Sequence, residues 1–253
     1  MIRVHPTAII EDDVRLDDGC VIHAHAIVKR YCELGEGVVV HPFAVVGGDP
    51  QDLSFDVGKR TGVRIGARTV IREHVTISRA TKDDGFTEIG TDCFLMAASH
   101  VAHDGRLGNH VILANAVLLA GHVQIGDRAF LGGGAMVHQF CRIGESAMVG
   151  GGARISLDIA PFCMVAERNA IAGLNVVGLR RRGIKGEAVS ELKCVFRLLT
   201  TPSGNLRELA ASSLEKGEFH SAQARTFLEF LQSGRRPVAR LHRAAATQDE
   251  QEG

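Results

Sequence analysis

Cut every six positions, residues 89–155 read IGTDCF LMAASH VAHDGR LGNHVI LANAVL LAGHVQ IGDRAF LGGGAM VHQFCR IGESAM VGGGAR I. Every block opens on an aliphatic side chain: Ile89, Leu95, Val101, Leu107, Leu113, Leu119, Ile125, Leu131, Val137, Ile143, Val149 and Ile155. Four positions after the anchor the residue is mostly small, as at Cys93, Ser99, Gly105, Ala129, Ala135, Cys141, Ala147 and Ala153. Neither the 3.6-residue period of a helix nor the alternation of a strand produces this spacing. A hexapeptide repeat is the signature of a parallel β-helix, in which each hexad gives one short strand and a corner, and neighbouring coils bury one another's apolar side. With three hexads to a triangular coil, residues eighteen apart stack about 4.8 Å from one another, the inter-strand spacing.

The same register runs through Val4, Ile10, Leu16, Ile22, Val28, Leu34, Val40 and Val46, and returns at Ile65, Ile71 and Ile77. Two polar, glycine-containing stretches break it, 47–62 (GGDPQDLSFDVGKRTG) and 78–88 (SRATKDDGFTE), and are expected to leave the prism as loops. Past Pro161 the period ends. Val189, Leu192, Val195, Phe196 and Leu199 follow helical spacing, Thr201-Pro202-Ser203-Gly204 breaks it, and Leu206, Leu209, Leu214, Phe227, Leu228 and Leu231 suggest further helices. The expected organisation is a β-helix over 1–178, a small helical domain over 179–243 and a frayed tail over 244–253, an all-β body with an α appendage.

The charges separate along the same boundary. The chain is neutral, with 29 Lys+Arg against 29 Asp+Glu, but residues 178–243 hold 13 basic against 6 acidic side chains. Overall neutrality argues against a nucleic-acid binder, while the basic appendage suits an acidic partner. No run of apolar residues is long enough for a transmembrane helix and MIRVHPTAII is not a secretion signal, so a cytoplasmic protein is expected. Six cysteines without a CxxC pair read as free thiols, four of them (Cys20, Cys32, Cys93, Cys141) in the small packing slot.

Four of the 12 histidines fall in HVAHD (100–104), AGH (120–122) and VHQF (137–140), and none occupies an interior slot. Stacking by eighteen puts His103, Gly121 and Gln139 in one column and Asp104, His122 and Phe140 in the next, with Gly121 leaving room above His103. Three chemistries fit: acyl transfer to an alcohol with one imidazole base and backbone oxyanion donors; zinc-dependent hydration of the carbonic anhydrase type, needing three converging histidines; or a non-catalytic ligand-binding scaffold.

HVAHD, LLAGHV (118–123), VHQF, QDL (51–53) and GLNVVGLRRRG (173–183), in that order over nearly the whole chain, resemble the UDP-N-acetylglucosamine O-acyltransferases that begin lipid A synthesis. The resemblance implies a left-handed β-helix, a homotrimer with sites between prisms, and transfer of a 3-hydroxyacyl chain from acyl carrier protein to the sugar 3-hydroxyl. No metal or cofactor is implied beyond the phosphopantetheine arm of the carrier. His103 would be the base and Gly121 the oxyanion amide, with His100, His122, His138 and Gln139 around the substrates. Asp52 would take the amino sugar, Asn175, Arg181 and Arg182 the nucleotide, and Gly151 would limit acyl length. The chain departs from the family at Val177, where an acid is common, and at Ser54, where a lysine is; a 3-amino analogue of the sugar is a second candidate acceptor.

Overall fold

A computed structural model describes residues 1–200 and 205–241. Twenty-four of its strands run parallel, in sheets of ten, eight and seven strands whose order steps by three along the chain, once round the prism per coil. In the uninterrupted part the pairing is eighteen residues apart, as in Phe94 with Ile112, Phe130 and Met148 on the first sheet and His100 with Leu118 and Met136 on the second. The anchors form the interior columns: Leu95, Val101, Leu113, Leu119 and Leu131 are at most 1% exposed, and the small slots, such as Ala129 and Ala135, are sealed.

Corners carry a strict backbone signature. The third residue after the anchor takes a positive φ at Asp92, Ala98, Asp104, His110, Ala116, His122, Arg128, Phe140 and Ser146, between 52° and 65°. This region costs an L-residue about 1–2 kcal/mol. The opposing gain is a hydrogen bond from each corner N–H to the previous coil: His122 to His103 O at 3.0 Å, Phe140 to Gly121 O at 3.0 Å and Ser146 to Asp127 O at 2.8 Å. We name the corners by their residues: the glycine corner (96–99, 114–117, 132–135, 150–153), the histidine corner (102–105, 120–123, 138–141) and the acidic corner (90–93, 108–111, 126–129, 144–147).

Both expected loops leave the prism, over 49–61 and 79–85, the flanking residues having joined strands Val45–Gly48, Gly62–Ile65, Thr76–Ser78 and Phe86–Ile89. They lengthen the coils that contain them, so Thr76 pairs with Val45 on one side and His100 on the other. At the open N-terminal end the sequence register overstates the core. Val4 is 45% exposed and Ile10 and Leu16 only half-buried, because their strands are paired on one side only among the described residues. At the other end Cys163–Ala166 extends the first sheet and the antiparallel strand Ala170–Leu174 closes it.

Four α-helices follow among the described residues: α1 (Val176–Arg181), α2 (Glu187–Phe196), α3 (Leu206–Glu215) and α4 (Ala222–Ser233). α1 begins just inside the expected prism boundary because Asn175 caps it, its side chain accepting from Gly178 N. Phe227, Leu228 and Leu231 of α4 and Leu192 and Val195 of α2 are buried. A buried ion pair locks this domain to the prism: Asp158, fully buried, accepts from Arg142 Nε at 2.7 Å and from Arg142 N at 2.9 Å, while the guanidinium also donates to Ser233 Oγ and Phe230 O in α4. The expected helix break at 201–204 and the tail at 244–253 lie outside the described residues. No helix among the described residues is long and apolar enough to cross a membrane. Cys20, Cys32, Cys93, Cys141 and Cys163 are buried free thiols; burial pushes Cys32 up to about 12 and Cys93 and Cys141 up to about 11, which makes them poor nucleophiles at neutral pH.

Candidate active site

The histidine corner realises the columns that the repeat dictates. His122 stacks on Phe140 with ring centres 4.6 Å apart, and His103 meets His122 edge-on at 5.2 Å. His103 Nδ1 lies 2.9 Å from Asp104 Oδ2. The carboxylate is itself fixed: Thr81 Oγ1 donates to Oδ2 at 2.7 Å, Thr81 N reaches both oxygens, and Asp104 N donates to Thr87 Oγ1. Burial raises the Asp104 carboxyl, but the bonds from His103 and Thr81 outweigh it and hold the group below the ordinary carboxylate range. An ionised Asp104 accepts a hydrogen bond from Nδ1–H, which favours the tautomer with its lone pair on Nε2 of His103.

Nε2 faces the backbone of Gly121. A Cβ built on that glycine would come within 2.6 Å of His103 Cε1 and 2.7 Å of Nε2, so any side chain there displaces the imidazole. The Gly121 N–H has no hydrogen-bond acceptor among the described residues, whereas His122 N, the next donor, is spent on His103 O. An imidazole and an unused amide therefore stand at one spot, at the edge of a cleft of about 870 Å³. Its walls include Gln51, His100, His138, Gln139 and the outward side chains of the second sheet, Leu118 and Met136. Leu118 is 45% and Met136 38% exposed, an apolar strip running away from His103.

His100 Nδ1 is 2.7 Å from Thr76 Oγ1, and burial lowers its pKa, favouring the neutral ring. His138 Nδ1 is 3.1 Å from Gln139 O. Asp52 sits exposed on the first loop, where Ser54 N and Oγ donate to Oδ1 at 2.9 and 2.8 Å; these bonds, with a lesser contribution from the charge of His103, hold its carboxyl below the usual range. Ser54, the departure from the family pattern, thus orients Asp52. Thr81, Thr87 and Thr76 escaped the sequence reading because the insertions remove the constant spacing that assigns a residue to a column.

The remaining candidates are elsewhere in the chain. Asn175 and Arg182 lie at the acidic corner, where Asn175 Nδ2 donates to Ser146 O at 3.0 Å and Arg182 Nη1 pairs with Glu145 at 2.7 Å and bonds Ser146 Oγ. Arg181 is exposed at the end of α1, beside the exposed Val177. Gly151 is on the glycine corner, next to Gly133 and outside the cleft of its own chain. One chain gathers His100, His103, Gly121, His122, His138 and Gln139 with Asp52 near; it does not gather Asn175, Arg181, Arg182 or Gly151.

His103, Asp104 and His122 are also the one group among the described residues with the spacing of metal ligands. The three-histidine set of a zinc hydratase is not formed, since His100 is turned to Thr76 and is not a member of that group.

A family model for UDP N-acetylglucosamine O-acyltransferase, domain 2, matches residues 158–239. A protein of Thermodesulfovibrio yellowstonii named acyl-[acyl-carrier-protein]–UDP-N-acetylglucosamine O-acyltransferase is 41% identical over 94% of this chain and 92% of its own length. The chain belongs to the UDP-N-acetylglucosamine O-acyltransferase family. A family member of Agrobacterium fabrum is 39% identical over 92% of this chain and 93% of its own. The solved UDP-N-acetylglucosamine acyltransferase of Campylobacter jejuni superposes with a TM-score of 0.82 at 37% identity, covering 95% of this chain and all of the other. The fold is thus the family's left-handed β-helix with its C-terminal helices, and the protein is an acyltransferase.

Proposed function

We propose that the protein transfers a 3-hydroxyacyl chain from acyl carrier protein to the 3-hydroxyl of UDP-N-acetylglucosamine, the acylation that opens lipid A synthesis, in the cytoplasm and without a cofactor of its own. The observation that carries this is the lone pair of His103 Nε2, fixed by Asp104, beside the unused N–H of Gly121. The sugar hydroxyl attacks the thioester carbonyl as Nε2 takes its proton. The C–O bond forms, Gly121 N–H holds the oxyanion, and the tetrahedral centre collapses with cleavage of the C–S bond. The imidazolium, stabilised by Asp104, returns the proton to the departing thiolate. No covalent enzyme intermediate is needed, because the sugar hydroxyl is itself the nucleophile.

His100, His122, His138 and Gln139 line the reacting groups and Asp52 receives the amino sugar. The separation of Asn175, Arg181 and Arg182 from the histidine corner favours a homotrimer in which a neighbouring copy supplies the nucleotide contacts, a guanidinium being the natural partner for a diphosphate. The strip Leu118–Met136 suits an acyl chain, and Gly151 of an adjoining prism would bound it. The basic helical domain suits the acidic carrier.

The test is transfer from 3-hydroxyacyl carrier proteins of several lengths to UDP-N-acetylglucosamine and to its 3-amino analogue. Esterification of the natural sugar is expected. Exclusive amide formation on the analogue would move the assignment to that acceptor, and transfer to neither would overturn it.

A further inference from the structure

Arg79 is the one arginine of the prism that is almost sealed, with its side chain 7% exposed. It follows a bulge. Ser78 pairs with Gly48 although Ile77 pairs with Val46, so Gly47 is the extra residue. Gly47 has φ of 86°, and a Cβ there would lie 2.5 Å from Cys32 Sγ; only glycine lets the chain turn out at this point. The departing loop then wraps round the guanidinium. Nε donates to Asp49 at 2.9 Å, Nη1 to Lys59 O at 2.9 Å and Nη2 to Val57 O at 3.1 Å, and the ring of Phe55 lies 4.9 Å from its centre. These partners stand on both sides of Asp52.

The second loop is fastened to the first. Lys59 Nζ donates to Thr81 O, Arg60 N to Asp83 Oδ1 at 3.0 Å and Asp84 N to Arg60 O at 2.8 Å. Thr81, two residues after Arg79, clamps Asp104, which in turn orients the base. The buried run Ser78–Arg79–Ala80 therefore joins the loop bearing Asp52 to the carboxylate behind His103.

We propose that Arg79 is a positioning residue for the acceptor: it sets the two excursions as one unit and thereby places Asp52 over the cleft. This rests on the reading of Asp52 as an acceptor contact. The planar fork is essential to the argument, because three acceptors arranged around one guanidinium cannot be served by the single point charge of a lysine.

The experiment compares wild type, Arg79→Lys, Asp52→Ala and the double variant by calorimetric binding of UDP-N-acetylglucosamine, steady-state kinetics and limited trypsin digestion. In Arg79→Lys the Kd and KM for the sugar nucleotide are expected to rise about tenfold or more, the loss of charge-assisted hydrogen bonds being of that size. KM for the acyl carrier should change little, and cleavage after Lys59 and Arg60 should accelerate. The double variant should bind no more weakly than Asp52→Ala. Asp49→Ala, at a half-exposed position, removes one partner while leaving the buried cation in place, and should move the same constants in the same direction even if Arg79→Lys fails to fold. Unchanged sugar affinity in either folded variant, or effects of Arg79→Lys and Asp52→Ala that multiply, would overturn the inference alone. A wild-type protein that binds no UDP-N-acetylglucosamine would instead overturn the functional reading beneath it.

Discussion

Thr91, Asn109 and Asp127 occupy at the acidic corner the same hexad position that His103, Gly121 and Gln139 occupy at the histidine corner. At the acidic corner two of these side chains close the previous coil: Asn109 Oδ1 accepts from Thr91 N at 2.9 Å and Thr91 Oγ1 at 3.0 Å, and Asp127 Oδ1 accepts from Asn109 N at 2.9 Å. At the histidine corner no side chain caps Gly121 N, and the glycine has no side chain to fill the space over His103. The backbone is the same at both corners. What differs is that the amides of Thr91 and Asn109 are consumed by the fold while that of Gly121 is not, so a repeat that is uniform in shape is varied one corner at a time.

The largest effect is expected where the chemistry is placed. His103→Ala should reduce kcat by about 10²–10⁴-fold, the usual contribution of a positioned general base. Its melting temperature should stay that of the wild type, because the side chain is outside the sealed columns. Near-normal turnover by a folded His103→Ala protein would remove the histidine corner from the mechanism.

Gly151→Met extends the comparison to the glycine corner. A thioether projecting there should shorten the preferred acyl chain, and at about 0.8 kcal/mol per methylene the exclusion of three methylenes shifts the ratio of kcat/KM values by roughly 50-fold. The donor-length profile of the two proteins measures it. An unaltered profile would mean that the chain does not run toward that corner.

Gly121→Ala should cost about a hundredfold in kcat, since its Cβ must push the imbalance onto the imidazole and a displacement of about 1 Å is enough for such a loss. Gly133→Ala is the control. A Cβ there meets Asn115 O at 3.4 Å, an ordinary contact, so its stability should be unchanged. Equal activity of Gly121→Ala and wild type would refute the account of the free space above the base.

Much of this was legible before any coordinates. The period of six fixes which residues point inward, and the spacing of eighteen places His122 on Phe140 and Gly121 over His103, because stacked coils allow a corner residue only one neighbour on each side. Legibility fails where the spacing is interrupted. Thr81 clamps Asp104 from inside an insertion, and nothing in SRATKDDGFTE marks that threonine over its neighbours. It fails at chain ends, where Val4 keeps the pattern without a coil to cover it. It also fails for α1, a single turn and a half with Leu179 as its one buried residue, too short to display a helical period. A column, finally, says nothing of which edge of the prism another copy covers, which is why Gly151 and Arg182 are assigned to the site by resemblance while their own chain holds them apart from it.

The carboxylate behind the base supplies a pH test. Asp104 has its pKa lowered by folding, so its contribution to stability is complete above the unfolded value of about 3.9 and is lost as the pH falls through the lower folded value. The stability difference between wild type and Asp104→Asn should therefore be constant near neutrality and shrink below about pH 4. A difference that shrank between pH 6 and 8 would point to the histidines instead.

The smallest effect belongs to the acidic corner and completes the contrast. Asn109→Ala deletes the acceptor for Thr91 N and Thr91 Oγ1 in a half-buried position, where water can partly replace it. An unmade hydrogen bond of this kind costs about 1 kcal/mol, which for a chain of this size lowers Tm by about 2–4 °C. Turnover should not change, because the bond closes the fold and reaches no part of the cleft. His103→Ala and Asn109→Ala thus form a crossed pair, one expected to lose activity at constant Tm and the other Tm at constant activity. Measuring both quantities on both proteins decides whether the corners divide their labour. An Asn109→Ala protein with unaltered Tm and reduced kcat would show that the capped corner also serves the reaction, and that the free amide of Gly121 is not what sets the histidine corner apart.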